Sequence, residues 1–219
     1  MTTIIDALNS VAFTALGQPT SWMEVIGFVT GAICVWLVAK QNIFNWPIGI
    51  ANNVAFIVLF VSAGLFADAG LQVAYIVLAV WGWHQWLHGG PARKTLPVTR
   101  SSRTEWAWIA AAVVALTALL LWVLATFSTS TVPLADAATT ALSLGATYGQ
   151  IRKRVGSWYL WIAADVIYIP LYMVKGLELT AVLYMVFMTL CFIGLRDWRS
   201  ELPTTHRGLR NRPLVGAAA

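Results

Sequence analysis

Seven long apolar stretches, separated by short polar segments, follow one another along the chain. A helix that crosses a bilayer needs about 20 mostly apolar residues. The stretches that approach this length are roughly 21–40, 46–63, 66–87, 104–126, 133–151, 158–174 and 177–196. With 59% hydrophobic and 11% charged residues, the composition lies outside that of an ordinary soluble domain. The pattern predicts an all-α integral membrane protein with seven transmembrane helices.

The two ends of the chain depart from this pattern. Residues 1–20 contain a weakly amphipathic piece, IIDALNSVAFTAL, which we predict to lie at the membrane interface. The piece lacks the basic region of a cleavable signal peptide. Residues 200–219 are polar and rich in Arg, which predicts a cytoplasmic tail.

Basic residues are distributed unevenly among the loops. The loops after the first, third and fifth stretches, together with the C-terminal end, hold thirteen of the fourteen Lys and Arg residues. By the positive-inside rule, this places the N-terminus outside and the C-terminus in the cytoplasm. The net charge of +5 therefore reflects membrane topology and does not indicate a nucleic-acid partner.

The chain also repeats itself when it is shifted by 112 residues. The shift aligns residues 46–86 with 158–198 without a gap, and it matches Trp with Trp and Gly with Gly at several positions. The sequence therefore predicts two parallel three-helix repeats, 21–88 and 133–199, joined by a linker helix at 104–126. Such a linker leaves both repeats with the same orientation in the membrane.

Polar side chains on the sixth stretch recur at spacings of three and four, which places them on one helix face. The positions that share this face are Trp158, Trp161, Asp165, Tyr168 and Tyr172. An ionisable group such as Asp165 is expensive at mid-membrane and is a functional candidate by default. The shift pairs Asp165 with Asn53, so we predict that both face a central substrate cavity.

Other polar positions are weaker candidates for the same cavity. Further substrate-binding candidates are Trp46, Asn52, Gln72, Tyr75, Gln150 and Tyr184. Asn52 lies one position off the face and can instead join two helices by a hydrogen bond. Trp46 and Trp158 begin their stretches, so an interfacial aromatic belt is an alternative for both. The spacing of Cys and His residues predicts no metal site and no cofactor.

Four segments together resemble the PnuC transporters of bacterial vitamin uptake. These segments are NWPIGIANN, LFADAGLQVAYIVLAVWGWHQW, SWYLWIAADVIYIPLYMVKG and GLRDW. The resemblance implies a fold similar to that of the SWEET sugar transporters. It also implies import of nicotinamide riboside across the bacterial inner membrane by facilitated diffusion, with a cytoplasmic kinase trapping the substrate. The substrate-binding positions that the resemblance implies are Trp161, Asp165, Asn53, Gln72, Tyr75 and Tyr184.

One departure from the family pattern concerns the substrate. Family members often have an acidic residue and Asn before the Trp that opens the sixth stretch, where this chain has Gly156 and Ser157. Thiamine or another nucleoside-like vitamin therefore stays open as the substrate. An intramembrane enzyme and a membrane receptor are remote alternatives, because no catalytic or nucleotide-binding motif is present. The sequence also leaves open whether the chain forms a homo-oligomer in the lipid bilayer.

Overall fold

The computed structural model describes residues 7, 10–15, 18–62, 66–127, 132–174 and 178–202. Seven long helices account for most of these residues. Their bounds are α1 Trp22–Ala39, α2 Asn45–Ser62, α3 Phe66–His88, α4 Arg103–Phe127, α5 Pro133–Ile151, α6 Ser157–Val174 and α7 Glu178–Ser200. The seven predicted stretches correspond one to one with these helices, and the prediction of a seven-helix fold is confirmed.

Local sequence signals explain where several helices begin. The backbone N–H of Glu105 donates to Ser102 Oγ over 3.0 Å, which caps the start of α4. Asn42 Oδ1 accepts from the N–H of Phe44 at 2.9 Å just before α2 begins. Pro133 opens α5 at a position where its missing N–H costs nothing.

Helix packing follows the repeat. Within the first repeat α1 packs on α2 and α2 on α3, and within the second α5 packs on α6 and α6 on α7. Between the repeats, α1 packs on α7 and α3 packs on α5. The 112-residue shift pairs α1 with α5 and α3 with α7, so it converts each of these two contacts into the other. The repeats are therefore related by a pseudo-twofold axis. The linker helix α4 packs chiefly on α5.

The helices differ in how apolar they are. Within the described residues, three segments are long and apolar enough by themselves to cross a membrane: Arg103–Phe127, Ser157–Val174 and Thr180–Ser200. Val25–Ala39 of α1 is a shorter apolar segment. The membrane assignment therefore rests on the bundle as a whole.

The N-terminal segment contains a short β-hairpin that the sequence pattern did not predict. Strands β1 (Val11–Ala15) and β2 (Gln18–Ser21) pair in an antiparallel sheet, and α1 follows directly. The predicted interfacial position of residues 1–20 stays a prediction, and part of this segment lies outside the described residues. The predicted tail lies outside them beyond Leu202.

Candidate functional site

Four Trp residues close the bundle at one end. We call this the basic end, because α1, α3, α5 and α7 finish there beside the Lys- and Arg-rich loops. Trp46 packs edge-on against Trp86, with ring centroids 5.3 Å apart and an interplanar angle of 86°. Trp158 meets Trp198 in the same way, at 5.4 Å and 84°. The two pairs join through Trp86 and Trp198, whose centroids are 6.1 Å apart.

Two glycines and the ends of two helices hold this tryptophan cluster in place. A Cβ on Gly82 would collide with the ring of Trp46, and one on Gly194 would collide with Trp158. Trp86 Nε1 donates to the carbonyl of Gln150 at 2.9 Å, near the end of α5. Trp198 Nε1 donates at 3.2 Å to the carbonyls of Val38 and Ala39, near the end of α1. Each contact in one repeat thus has a counterpart in the other.

A further pair lies on the pseudo-twofold axis at the basic end. Gln41 and Lys153 are equivalent under the 112-residue shift, and Lys153 Nζ donates to Gln41 Oε1 over 3.0 Å. Both residues have positive φ, 53° and 47°, which turns the chain after α1 and α5. Lys153 Nζ also lies 4.5 Å from the ring centroid of Trp86. Burial lowers the pKa of Lys153, and the charge of Glu201 partly offsets this effect.

Three predicted substrate-binding residues lie at this closed end of the bundle, and their role in binding stays a prediction. Trp158 is fully buried and Trp46 is 7% exposed, so neither ring is open to a ligand or forms an interfacial belt. Gln150 contributes its backbone carbonyl to the tryptophan cluster and lies at the basic end. Helical periodicity grouped these rings with the deeper polar residues, but it could not show that Gly82 and Gly194 of neighbouring helices bury them.

Asp165 lies deeper in the bundle, two turns along α6 from Trp158. It is 3% exposed, and the thiol of Cys191 on α7 donates to its Oδ2 over 3.7 Å. Tyr184 is close enough to interact with Asp165 electrostatically. The ion pairs between described residues are Lys40–Asp197 and Glu105–Arg154, so Asp165 has no basic partner among them.

A group of tyrosine rings lies further from the basic end than Asp165, and Tyr184 is the member that interacts with its carboxylate. Tyr168 and Tyr184 have ring centroids 4.5 Å apart, and Tyr172 stacks on both at 5.7 and 5.2 Å. Tyr75 of α3 is close enough to Tyr168 for an electrostatic interaction. Because Tyr75 belongs to the first repeat, this group lies between the two repeats. We call Asp165 with these four tyrosines the Asp165 site.

Several polar groups near the middle of the helices have no hydrogen-bond partner within the described part of the chain. Asn52, Asn53 and Gln72 are half-buried, and their amides form no such bond. The indole N–H of Trp161, one turn before Asp165, is buried without a partner. An unpaired polar group in hydrocarbon is costly, roughly 4–8 kcal/mol on water-to-cyclohexane scales. These groups therefore remain available to a polar ligand or to water.

The structure also identifies residues that the sequence analysis left without a role. Cys191 is a buried core residue, and its thiol contacts the Asp165 carboxylate. Trp86, Trp198, Gln41 and Lys153 form the basic-end contacts. The 112-residue shift could have identified all four. It pairs Trp86 with Trp198 and Gln41 with Lys153, near the ends of the odd-numbered helices.

A family profile shows to which protein family this chain belongs. The profile described as "Nicotinamide mononucleotide transporter" matches residues 21–200. The chain belongs to this family. The riboflavin/roseoflavin transporter RibM of Streptomyces davaonensis is 30% identical over 194 residues, which cover 87% of this chain and 91% of RibM.

Two further relatives agree with this assignment. The nicotinamide riboside transporter PnuC of Escherichia coli is 23% identical over 223 aligned residues, covering 88% of this chain and 91% of PnuC. A crystal structure of the vitamin B3 transporter PnuC matches with a TM-score of 0.65 and 22% identity, covering 82% of this chain and 81% of that one. The structural match supports the fold, and the resemblance to PnuC transporters is confirmed. The chain is a transporter of the PnuC family, and the alternative of an intramembrane enzyme is wrong.

Proposed function

We propose that this transporter imports nicotinamide riboside, whose charged ring binds at the Asp165 site. The observation that carries the proposal is the buried carboxylate of Asp165, which has no basic partner among the described residues. A buried carboxylate is unfavourable unless a positive charge compensates it. The pyridinium ring of nicotinamide riboside supplies such a charge on a flat aromatic frame.

The surroundings of Asp165 suit the rest of this ligand. Stacked tyrosine faces attract a cationic ring through both area and quadrupole. The amides of Asn53 and Gln72, which form no hydrogen bond to another described residue, offer donors and acceptors for ribose hydroxyls. Trp161 is one turn from the carboxylate and offers a larger face, with an indole donor that has no partner among the described residues.

The proposed mode of transport is facilitated diffusion with alternating access. The sequence contains no nucleotide-binding loop, and Asp165 is its one carboxylate near the middle of an apolar stretch. Asp136, which interacts electrostatically with Tyr168 and Tyr172, lies in the first turn of α5. A cytoplasmic kinase then traps the substrate by phosphorylation. The distribution of basic residues supports an inner-membrane protein with its N-terminus outside and its C-terminus in the cytoplasm.

Riboflavin is a second candidate substrate, because RibM is 30% identical over most of the chain. Its three-ring system is flat and neutral, and it carries a chain of hydroxyl groups. Stacked tyrosines suit such a ring as well. A neutral ring, however, leaves the Asp165 carboxylate uncompensated, so the two candidates place different demands on this residue.

Uptake into proteoliposomes separates the candidates. We expect nicotinamide riboside to equilibrate without accumulating under a proton or sodium gradient, whereas riboflavin enters slowly. Thiamine, which also carries a fixed aromatic cation, is measured beside them. Asp165→Asn should lower uptake of the riboside roughly tenfold or more, because a charge-assisted contact is lost. Asp197→Asn, which removes an exposed carboxylate at the basic end, is the matched control.

The uptake results decide between the two substrates and between the modes of transport. Entry of riboflavin without the riboside would replace the first candidate with the second. Accumulation of unmodified substrate under an ion gradient would exclude facilitated diffusion. If Asn53→Asp restores part of the uptake lost in Asp165→Asn, both side chains face one ligand; no restoration would contradict the shared cavity.

A further inference from the structure

A groove of about 780 Å³ lies on the outer face of the bundle between α4 and α5, apart from the Asp165 site. Trp108, Ala112 and Leu116 of α4 form one wall, and Ala141 and Leu144 of α5 form the other. Helix α4 is almost entirely surface-exposed, and Trp108 is 73% exposed at the edge of the groove. The groove therefore opens toward the lipid.

Small residues on α5 create this space. Gly145 lines the groove, and a Cβ there would lie 3.1 Å from Val113 Cγ2 of α4. The equivalent face of α1 in the first repeat carries Val29, Ile33 and Trp36, which are 48, 42 and 49% exposed. That face is bulky and has no linker helix beside it.

Charged and hydroxyl side chains line the mouth of the groove at the basic end. Arg154 is neutralised there, because its Nε lies 2.9 Å from Glu105 Oε1 and its NH1 group donates to Thr99 Oγ1 at 2.6 Å. Arg152 also lines the groove but is exposed, and its side chain has no partner among the described residues. The mouth therefore presents one uncompensated guanidinium beside the hydroxyl of Thr104. Guanidinium groups bind phosphate oxygens with two parallel hydrogen bonds.

The length of the groove matches one leaflet of a bilayer. Along α4 it runs from Ser102 to Leu116, a rise of about 21 Å at 1.5 Å per residue. Half of a bilayer, with its head-group region included, measures about 20–22 Å. An apolar channel of this length with a positive mouth at head-group level fits a lipid with an anionic head.

We propose that this groove binds an anionic phospholipid from the leaflet at the basic end. The lipid phosphate contacts Arg152, and one acyl chain lies between α4 and α5 against Ala112 and Leu116. The bound lipid stabilises the packing of the linker helix on the second repeat. This site does not depend on the transported substrate.

Native mass spectrometry of the purified full chain tests the proposal with phosphatidylglycerol and phosphatidylcholine added in equal amounts. We expect the wild type to retain phosphatidylglycerol about fivefold better, the preference that one basic residue gives near a membrane surface. Arg152→Gln should abolish the preference. Ala112→Trp, which fills the groove from an exposed position, should reduce retention of both lipids.

Two control variants keep the test specific. Arg196→Gln removes an exposed guanidinium at the basic end of α7, and Ala110→Trp adds a ring on the opposite face of α4. Both should retain lipid like the wild type. Equal retention of the two lipids by the wild type, or an unchanged preference in Arg152→Gln, would overturn the proposal. A dimer signal that Ala112→Trp removes would also overturn it, because a second copy would then occupy the groove.

Discussion

The first repeat places Trp46 edge-on against Trp86, and the second places Trp158 edge-on against Trp198, with centroid distances of 5.3 and 5.4 Å. The same two repeats differ deeper in the bundle. Asn53 and Phe56 of α2 occupy the positions of Asp165 and Tyr168 of α6. The basic end is therefore symmetric, whereas the candidate site is not.

This difference reflects what each region has to do. Closing one end of a bundle requires two surfaces that fit each other, and equivalent residues on a twofold axis provide such a fit. A small ligand has no twofold symmetry, so its charge, ring and hydroxyl groups need different partners from each repeat. In this chain the carboxylate and three of the four site tyrosines come from the second repeat, and Tyr75 comes from the first.

Substituting the two cluster glycines tests the symmetry and should give the largest effect. Gly82→Ala and Gly194→Ala each place a methyl group on a buried Trp ring. Overpacking of this kind costs about 1–3 kcal/mol, and we expect similar losses of unfolding free energy for both. Thermal unfolding in detergent measures them, with Gly49→Ala as the control because nothing lies within 4 Å of its added Cβ. A large loss for one glycine and none for the other would refute the equivalence of the two halves.

Trp161 tests the asymmetry of the site, because its equivalent in the first repeat is Gly49. Trp161→Ala should weaken binding of nicotinamide riboside by about 2 kcal/mol, since a stacking surface is lost. Trp161→Phe keeps an aromatic face and should cost about 0.5–1.5 kcal/mol. Isothermal titration gives both values, and Gly49→Ala should bind like the wild type. Unchanged affinity in Trp161→Ala would remove this residue from the site.

Lys153 provides a test of the axis pair through the pH dependence of stability. Burial lowers its pKa in the folded state below the ordinary value of 10.5. Between the lowered pKa and 10.5 the unfolded chain binds the additional proton, so stability should rise with pH in this window and level off above it. Lys153→Gln, which makes both axis residues Gln, should flatten this part of the curve, whereas the exposed Lys94→Gln should not. Unfolding temperatures from about pH 8 to 11 record the slope; the same slope in Lys153→Gln would assign it to other groups.

The ion pair between Lys40 and Asp197 breaks the symmetry of the basic end and should matter least. Lys40 Nζ lies 2.8 Å from Asp197 Oδ2, but the Lys40 side chain is 48% exposed and that of Asp197 is 32% exposed. Their equivalents, Arg152 and Gln85, cannot form an ion pair. Lys40→Ala should change the unfolding free energy by only about 0–1 kcal/mol, and added salt should remove the difference. A loss above about 2 kcal/mol that persists in high salt would contradict a screened surface pair.

Much of the fold could be predicted because the membrane limits the choices. Seven apolar stretches and a 112-residue shift led to the observed helices and to the two repeats. The hairpin of β1 and β2 escaped this reasoning, since its strands have only five and four residues. The pairing of α1 with α7 and of α3 with α5 is a tertiary contact that helical periodicity does not encode.

The candidate site was only partly predictable for a similar reason. A carboxylate in an apolar helix is conspicuous, so Asp165 could be identified without a structure. Trp46 shares a helix face with Asn53, and Trp158 shares one with Asp165. Whether these two rings are buried depends on whether a glycine of the neighbouring helix faces the ring. Gly82 and Gly194 bury these rings in the tryptophan cluster. Sequence spacing gives the direction of a side chain around a helix, and the neighbouring helix decides what it meets.

The contact between α1 and α7 has a consequence for how the chain is made. Trp198 donates to the carbonyl of Ala39, a residue 159 positions earlier. At translation rates of about 5–20 residues per second, roughly 8 to 30 s separate the synthesis of these two residues. Throughout that interval α1 lacks the helix that covers it in the finished protein, and lipid or the insertion machinery has to take its place. Assembly of the basic end is therefore among the last events in the biogenesis of this transporter.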